Sequence, residues 1–78
     1  MSNIGIYNQV FINCFKVNPD QLDTLTYRSF PGWDSIGHMV LIASLEEAFN
    51  IMIDTDDIID FSSYENGKQI LNKYNVSF

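Results

Sequence analysis

The segment from Ile36 to Asn50 repeats apolar residues at the spacing of an α-helix, and this constrains the fold more than any other feature. Advancing 100° per residue places one group of side chains in a single arc, which we predict to face the core. That group consists of His38, Leu41, Ile42, Leu45 and Phe49. Asp34 and Ser35 precede the segment, and either side-chain oxygen can cap the helix.

The opposite side of this helix is also apolar. The apolar strip, as we call it, consists of Ile36, Met39, Val40 and Ala43, and Glu46 and Glu47 flank it. Small proteins seldom expose such a strip without a use, and methionine is favoured at surfaces that fit several partners. We therefore predict a docking surface for partner proteins. The alternative is that a loop folds over the strip.

Three further helices and one long loop are predicted around this segment. Helical spacing begins after a possible cap at Ser2 and stops near Asn18–Pro19. The residues from Asp20 to Asp34 have no sustained period, which indicates a long loop. We expect four of its side chains to attach it to the core: Leu22, Leu25, Tyr27 and Phe30.

The remainder of the chain predicts two shorter elements. Residues 54–61 suit a short helix of at most two turns, with its acids near the N-terminus. Residues 62–65 fit a capping box for a fourth helix that runs to about Tyr74. The predicted fold class is all-α: a small antiparallel four-helix bundle with three longer helices and one short helix.

The length of the chain limits what the fold can contain. Seventy-eight residues, of which 46% are hydrophobic, form one small domain over residues 1–78. At this size folding buries only about 60 to 65% of the surface of the unfolded chain. A two-domain enzyme is excluded, and we expect no large apolar cavity to be available for a substrate.

The charge is acidic and uneven. Ten acidic residues against four basic ones give a net charge of -6, which argues against nucleic acid and anionic membrane as partners. Between Ser29 and Gly67 there is no lysine or arginine, while eight acids lie there. Such a segment is either a solvated face or a surface that attracts a basic partner.

The sequence shows no sign of secretion or membrane insertion. Cys14 is the lone cysteine, so no internal disulfide forms, and we expect its side chain in the core. No charged segment followed by an apolar one opens the chain, which favours the cytoplasm. The longest apolar run, residues 39–43, is far shorter than the roughly 20 residues that span a bilayer.

The sequence Gly32-Trp33-Asp34-Ser35-Ile36 resembles the G-x-D-S-[LI] motif of acyl and peptidyl carrier proteins. Residues 41–49 are similar to the remainder of the second helix in that family. The resemblance covers nearly the whole chain, because it includes the length, the helix pattern, the long first loop and the acidity. The chain looks like a free-standing bacterial carrier rather than an excised module.

The resemblance implies a cofactor and a set of partners. It makes Ser35 the attachment point of 4'-phosphopantetheine, transferred from coenzyme A by a phosphopantetheinyl transferase. An acyl- or aminoacyl-activating ligase and acyltransferases or synthases are then the further partners of a monomeric protein. The positions that match docking residues of the family are Asp34, Ile36, Met39, Ala43, Glu46, Glu47 and Asp56. Val40 joins them as part of the apolar strip.

Some residues depart from the fatty-acid carriers. Gly37 and Val40 stand where many of those proteins have an acid, so the docking face is more apolar. Trp33, His38 and Met39 also look unlike the fatty-acid type, and resemble specialised carriers of biosynthetic clusters.

Other chemistries fit the residues less well. Ser35 and His38 suggest a hydrolase, but the G-x-S-x-G elbow is not met, because Trp33 occupies its first glycine position. Residues 54–57 hint at calcium, but Ile58 and Ile59 stand where an EF-hand loop needs an oxygen ligand and a glycine. No catalytic residue and no metal site are predicted. A small acidic adaptor or inhibitor without a cofactor remains the alternative, and it explains the charge and the strip equally well.

Overall fold

A computed structural model describes residues 2–78 of the chain. Its elements are α1 (Asn3–Phe15), a 3₁₀ helix (Pro19–Thr24), α2 (Ser35–Phe49), α3 (Thr55–Asp60) and α4 (Tyr64–Asn72). The described residues form no strand, and the predicted all-α class is confirmed. Within residues 2–78, no helix combines the length and the apolar character needed to cross a membrane.

The starts of the helices follow from local capping. Ser2 accepts a hydrogen bond from the amide of Gly5 at 3.1 Å, as predicted for the start of α1. The capping box of α4 lies one residue later than predicted, because Ser63 rather than Ser62 accepts from the amide of Asn66. The Asn66 side chain in turn accepts from the amide of Ser63. The sequence had suggested the side chain of Glu65 for this acceptor role.

The segment predicted to be one long loop contains a helix. Pro19 begins the 3₁₀ helix, and the amide of Asn18 donates to the side chain of Gln21 at 2.9 Å. Proline is favoured there because its ring already holds a helical φ. Short 3₁₀ turns have no apolar period of their own, so the pattern did not reveal this one. The expected attachment is present, since Leu22 and Leu25 are buried and Tyr27 and Phe30 are half-buried.

Aromatic rings fill the core between α1, α4 and the loop before α2. Trp33 is fully buried, and its ring stacks on Phe15 with the centroids 5.2 Å apart. The Tyr7 hydroxyl, also buried, donates to the carbonyl oxygen of Tyr64 at 2.7 Å. The loop that leads to Ser35 therefore packs against a filled core.

Half-buried Cys14 packs against this core, and its Sγ lies 3.6 Å from the Ser44 hydroxyl.

Candidate functional site

Ser35 is the first residue of α2 and lies exposed at its N-terminus. Asp34 is the cap, because its carboxylate accepts from the amide of Gly37 at 2.8 Å. The Ser35 hydroxyl is therefore not used for capping. It lies 3.2 Å from the hydroxyl of Tyr27, and either oxygen can donate the proton. A group attached to Ser35 would lie beside the amides of the first turn.

The backbone around Tyr27 is fixed by the turn between α3 and α4. The Tyr27 amide donates to the carbonyl oxygen of Ser62 at 2.8 Å, and the Tyr64 amide donates to Leu25 at 3.0 Å. The ring of Tyr27 also packs edge-on against His38, with the centroids 5.4 Å apart. The Tyr27 hydroxyl is thus placed at Ser35 by contacts distant in sequence. The spacing of the residues carries no signal for this contact, and it was not predicted.

The loop before α2 approaches the helix so closely that residue 37 has no room for a side chain. A Cβ at Gly37 would overlap the carbonyl oxygen of Gly32. The amide of Arg28 donates to the carbonyl oxygen of Trp33 at 2.9 Å, which closes this loop. Glycine is therefore required at position 37 by this loop.

His38 connects the loop before α2 to α3. The indole N–H of Trp33 donates to His38 Nδ1 at 3.0 Å, so the ring proton lies on Nε2. The Nε2–H in turn donates to the carbonyl oxygen of Ile58 at 2.8 Å. Both ring nitrogens are thus engaged, and His38 accepts no proton from Ser35. The histidine is half-buried, as its predicted position on the core arc suggests.

An apolar groove of about 370 Å³ opens beside Ser35, between α2 and α3. Its lining residues are Tyr27, Ser35, His38, Met39, Ile58, Ile59, Phe61 and Ser62. The sequence predicts that no large apolar cavity is available within so small a fold, and this surface groove does not contradict that prediction. The groove is partly open to solvent and lies at the surface, so it does not reduce the packed core. Its volume lies within the usual range for small-molecule sites.

The apolar strip is exposed along the outer face of α2. The exposed fractions are 77% for Ile36, 57% for Met39 and 51% for Val40, and Ala43 is exposed as well. Within residues 2–78 no loop covers the strip, so the alternative of a covering loop is wrong. Ile59 of α3 is 73% exposed and shares the groove with Met39, which extends the apolar surface from α2 to α3.

The predicted acidic docking residues differ in their surroundings. Asp34, Glu47 and Asp56 are exposed. Glu46 is half-buried, and its carboxylate accepts from the amide of Ile53 at 2.8 Å, so it also fixes the segment before α3. Sequence reasoning did not anticipate this structural contact.

A second carboxylate, Asp57, fixes α3 from the other side. Its two oxygens accept from the Lys73 ammonium and from the Tyr74 hydroxyl. These hydrogen bonds favour the ionised form, and they lower the pKa of Asp57 below its usual value. Asp57, which the sequence had linked to a calcium hint, therefore attaches α3 to the end of α4.

The side chain of Arg28 lies close to Tyr27 and Asp34. The Arg28 guanidinium carbon is 5.5 Å from the centroid of the Tyr27 ring, and Arg28 and Asp34 line the same surface depression. The hydroxyl of Ser35 and, next, the side chain of Arg28 lower the pKa of Tyr27, because both stabilise the phenolate. Arg28 has a positive φ of 65°, so its backbone conformation is tightly specified.

Comparison with models of known protein families, with curated proteins and with solved structures finds no match to this chain. The residues and the geometry around Ser35 are therefore what indicate a function.

Proposed function

We propose that the protein is an acyl carrier protein, in which Ser35 bears 4'-phosphopantetheine and the helices form the small bundle typical of such carriers. The observation that carries the proposal is the position of Ser35. Its hydroxyl does not cap the helix and belongs to an exposed residue at the N-terminus of α2. Ser35 also lines the apolar groove and lies next to Ile36 of the apolar strip.

The surroundings of Ser35 suit a phosphate ester. Unpaired amides and the dipole of a helix favour negative charge at its N-terminus. Further donors are close by: the Tyr27 hydroxyl lies 3.2 Å from the Ser35 oxygen, and the Arg28 guanidinium lies at the Tyr27 ring. When the arm is transferred, the Ser35 oxygen bonds to a phosphorus of coenzyme A, the nucleotide half leaves, and the transferase takes the serine proton. Once attached, the arm carries its cargo as a thioester.

The groove and the strip fit the two needs of a carrier. An apolar group on a tether gains from a nearby apolar surface, and the groove beside Ser35 provides one. Delivery by a tethered arm raises the effective concentration of the cargo at a docked enzyme. Docking can therefore be weak, and exposed apolar residues flanked by Glu47 and Asp56 suit brief contact with basic surfaces.

The partners proposed from this surface are a phosphopantetheinyl transferase, an acyl- or aminoacyl-activating ligase, and acyltransferases or synthases. The protein would work as a monomer in the cytoplasm. Acids on the docking face would speed the encounter with these enzymes, and salt would slow it by screening.

The test is loading followed by intact mass. The protein is incubated with coenzyme A, magnesium and a promiscuous phosphopantetheinyl transferase, and we expect one phosphopantetheine to be added. Ser35→Ala should abolish the addition. Ser44→Ala is the matched control, because Ser44 belongs to the same helix but contacts Cys14 at 3.6 Å instead of the groove. No addition to the native chain, or addition that survives Ser35→Ala, contradicts the proposal and favours the adaptor without a cofactor.

A further inference from the structure

We propose that Tyr27 and Arg28 form a phosphate clamp, which holds the phosphodiester between Ser35 and its arm against the protein. This inference rests on the proposed function and extends it. It assigns a positioning role to two residues of the loop before α2, a segment that the motif around Ser35 does not include.

Tyr27 contacts the atom of Ser35 to which the arm would be attached. The Tyr27 hydroxyl lies 3.2 Å from the Ser35 Oγ, which is the atom that would be esterified. A phosphate on that oxygen would bring acceptor oxygens into the neighbourhood of the phenol O–H. A hydrogen bond to an ionised acceptor is roughly twice as strong as one between neutral groups. The contact of the unmodified serine would therefore be replaced by a stronger one.

Tyr27 is also rigidly held. Its backbone amide is bonded to Ser62, its neighbour Thr26 is paired with Ser63, and its ring packs against His38. A donor that is already in place loses little conformational freedom when it binds. The hydroxyl is directed at Ser35 before any arm is attached, as a positioning residue requires.

The local charge also favours the clamp. Asp34 is exposed beside Ser35 and is committed to capping α2, so a phosphodiester would become the second negative group at this position. Arg28 is the only lysine or arginine between Lys16 and Lys68 in the sequence. Its guanidinium lies at the Tyr27 ring, it shares a surface depression with Asp34, and among the described residues no carboxylate lies within ion-pair distance of it. Arginine is well suited to bind a phosphate because its donors form a planar fork.

The test compares the melting temperature of the unloaded and loaded forms. A clamp that acts only on the loaded form raises the stability of that form, and we expect loading to raise the Tm of the native sequence by ~5 °C. Tyr27→Phe and Arg28→Gln should each remove at least half of this rise, because the first removes a hydroxyl donor and the second removes the positive charge and the planar fork of donors. Lys16→Gln is the matched control, since it removes an equal positive charge at the C-cap of α1, outside the segment that contains Tyr27, Arg28 and Ser35, and should keep the full rise. The ³¹P resonance of the loaded protein should also move in both clamp variants and stay in place in the control.

The outcomes separate the clamp from the proposed function. If the native chain takes up no arm, as judged by intact mass, the proposed function fails and the clamp fails with it. If the arm is added, but the Tm rise and the ³¹P resonance are the same in all variants, the clamp alone is contradicted. A rise that survives Tyr27→Phe and Arg28→Gln equally would place the stabilising contact in the groove instead.

Discussion

Replacing Gly37 with alanine tests how closely the loop before α2 packs against that helix. The added Cβ would overlap the carbonyl oxygen of Gly32 and would come within 3.4 Å of the Asp34 carboxylate. The obstacle is backbone, so it cannot rotate away as the end of a side chain can. The closing hydrogen bond between Arg28 and Trp33 also restrains the loop from moving.

Opposing effects determine how much the free energy of unfolding changes. Forcing a methyl group into a packed contact costs about 1–3 kcal/mol, and disturbing the Asp34 cap costs about 1 kcal/mol more. Alanine gains about 1 kcal/mol over glycine in helix propensity. We therefore expect Gly37→Ala to lower the free energy of unfolding by ~1–3 kcal/mol net, which corresponds to roughly 4–24 °C in Tm.

The assay is urea unfolding followed by circular dichroism, with an unchanged slope against urea as the sign that the unfolded state is the same. Gly5→Ala is the control, because a Cβ there meets only the Ser2 hydroxyl at 3.2 Å. A Gly37→Ala variant as stable as the native protein, or more stable, would refute the close approach.

Three more predictions concern the docking face, the α3 attachment and Tyr27. Met39→Glu should leave the Tm unchanged but slow loading by the cognate ligase, whereas Met52→Glu, at an exposed residue outside the strip, should not; equal rates would show that the strip is not the docking face. The lowered pKa of Asp57 means that its ionised form adds stability above its ordinary pKa near 3.8, and that this stability is lost as the pH falls through the lower folded value. The stability difference between the native protein and Asp57→Asn should therefore shrink below that pH, and a constant difference in acid unfolding curves would contradict the ion pair. Ser35→Ala and Arg28→Gln should each raise the pKa of Tyr27 toward its usual value in a tyrosine NMR titration, and an unchanged titration would mean that neither side chain stabilises the phenolate.

The part of the fold that sequence predicted well depends on local chemistry. The helix at 35–49 was found within one residue at each end, because its apolar period is strong and a capping residue precedes it. The 3₁₀ helix was missed because its six residues contain no period. The burial of Trp33 was missed as well, since a single aromatic residue beside Pro31-Gly32 has no periodic neighbours to assign it to the core.

The site shows the same division. The exposed strip and the position of Ser35 follow from helical geometry and could be predicted. The contact of Tyr27 with Ser35 depends on pairing between the loop and the turn before α4. The groove likewise depends on how α3 packs against α2, through the Ile58 carbonyl and His38. Such contacts between distant segments leave no pattern in a single sequence.

The central claim is that Ser35 carries phosphopantetheine in the cell. The most direct measurement is peptide mass spectrometry of the protein purified from its native cell, with fragmentation that locates any added mass. We expect the peptide containing Asp34-Ser35-Ile36 to bear one phosphopantetheine or its acylated form on the serine. A fully unmodified Ser35 peptide in cells that contain an active phosphopantetheinyl transferase, or the same mass on another residue, would contradict it.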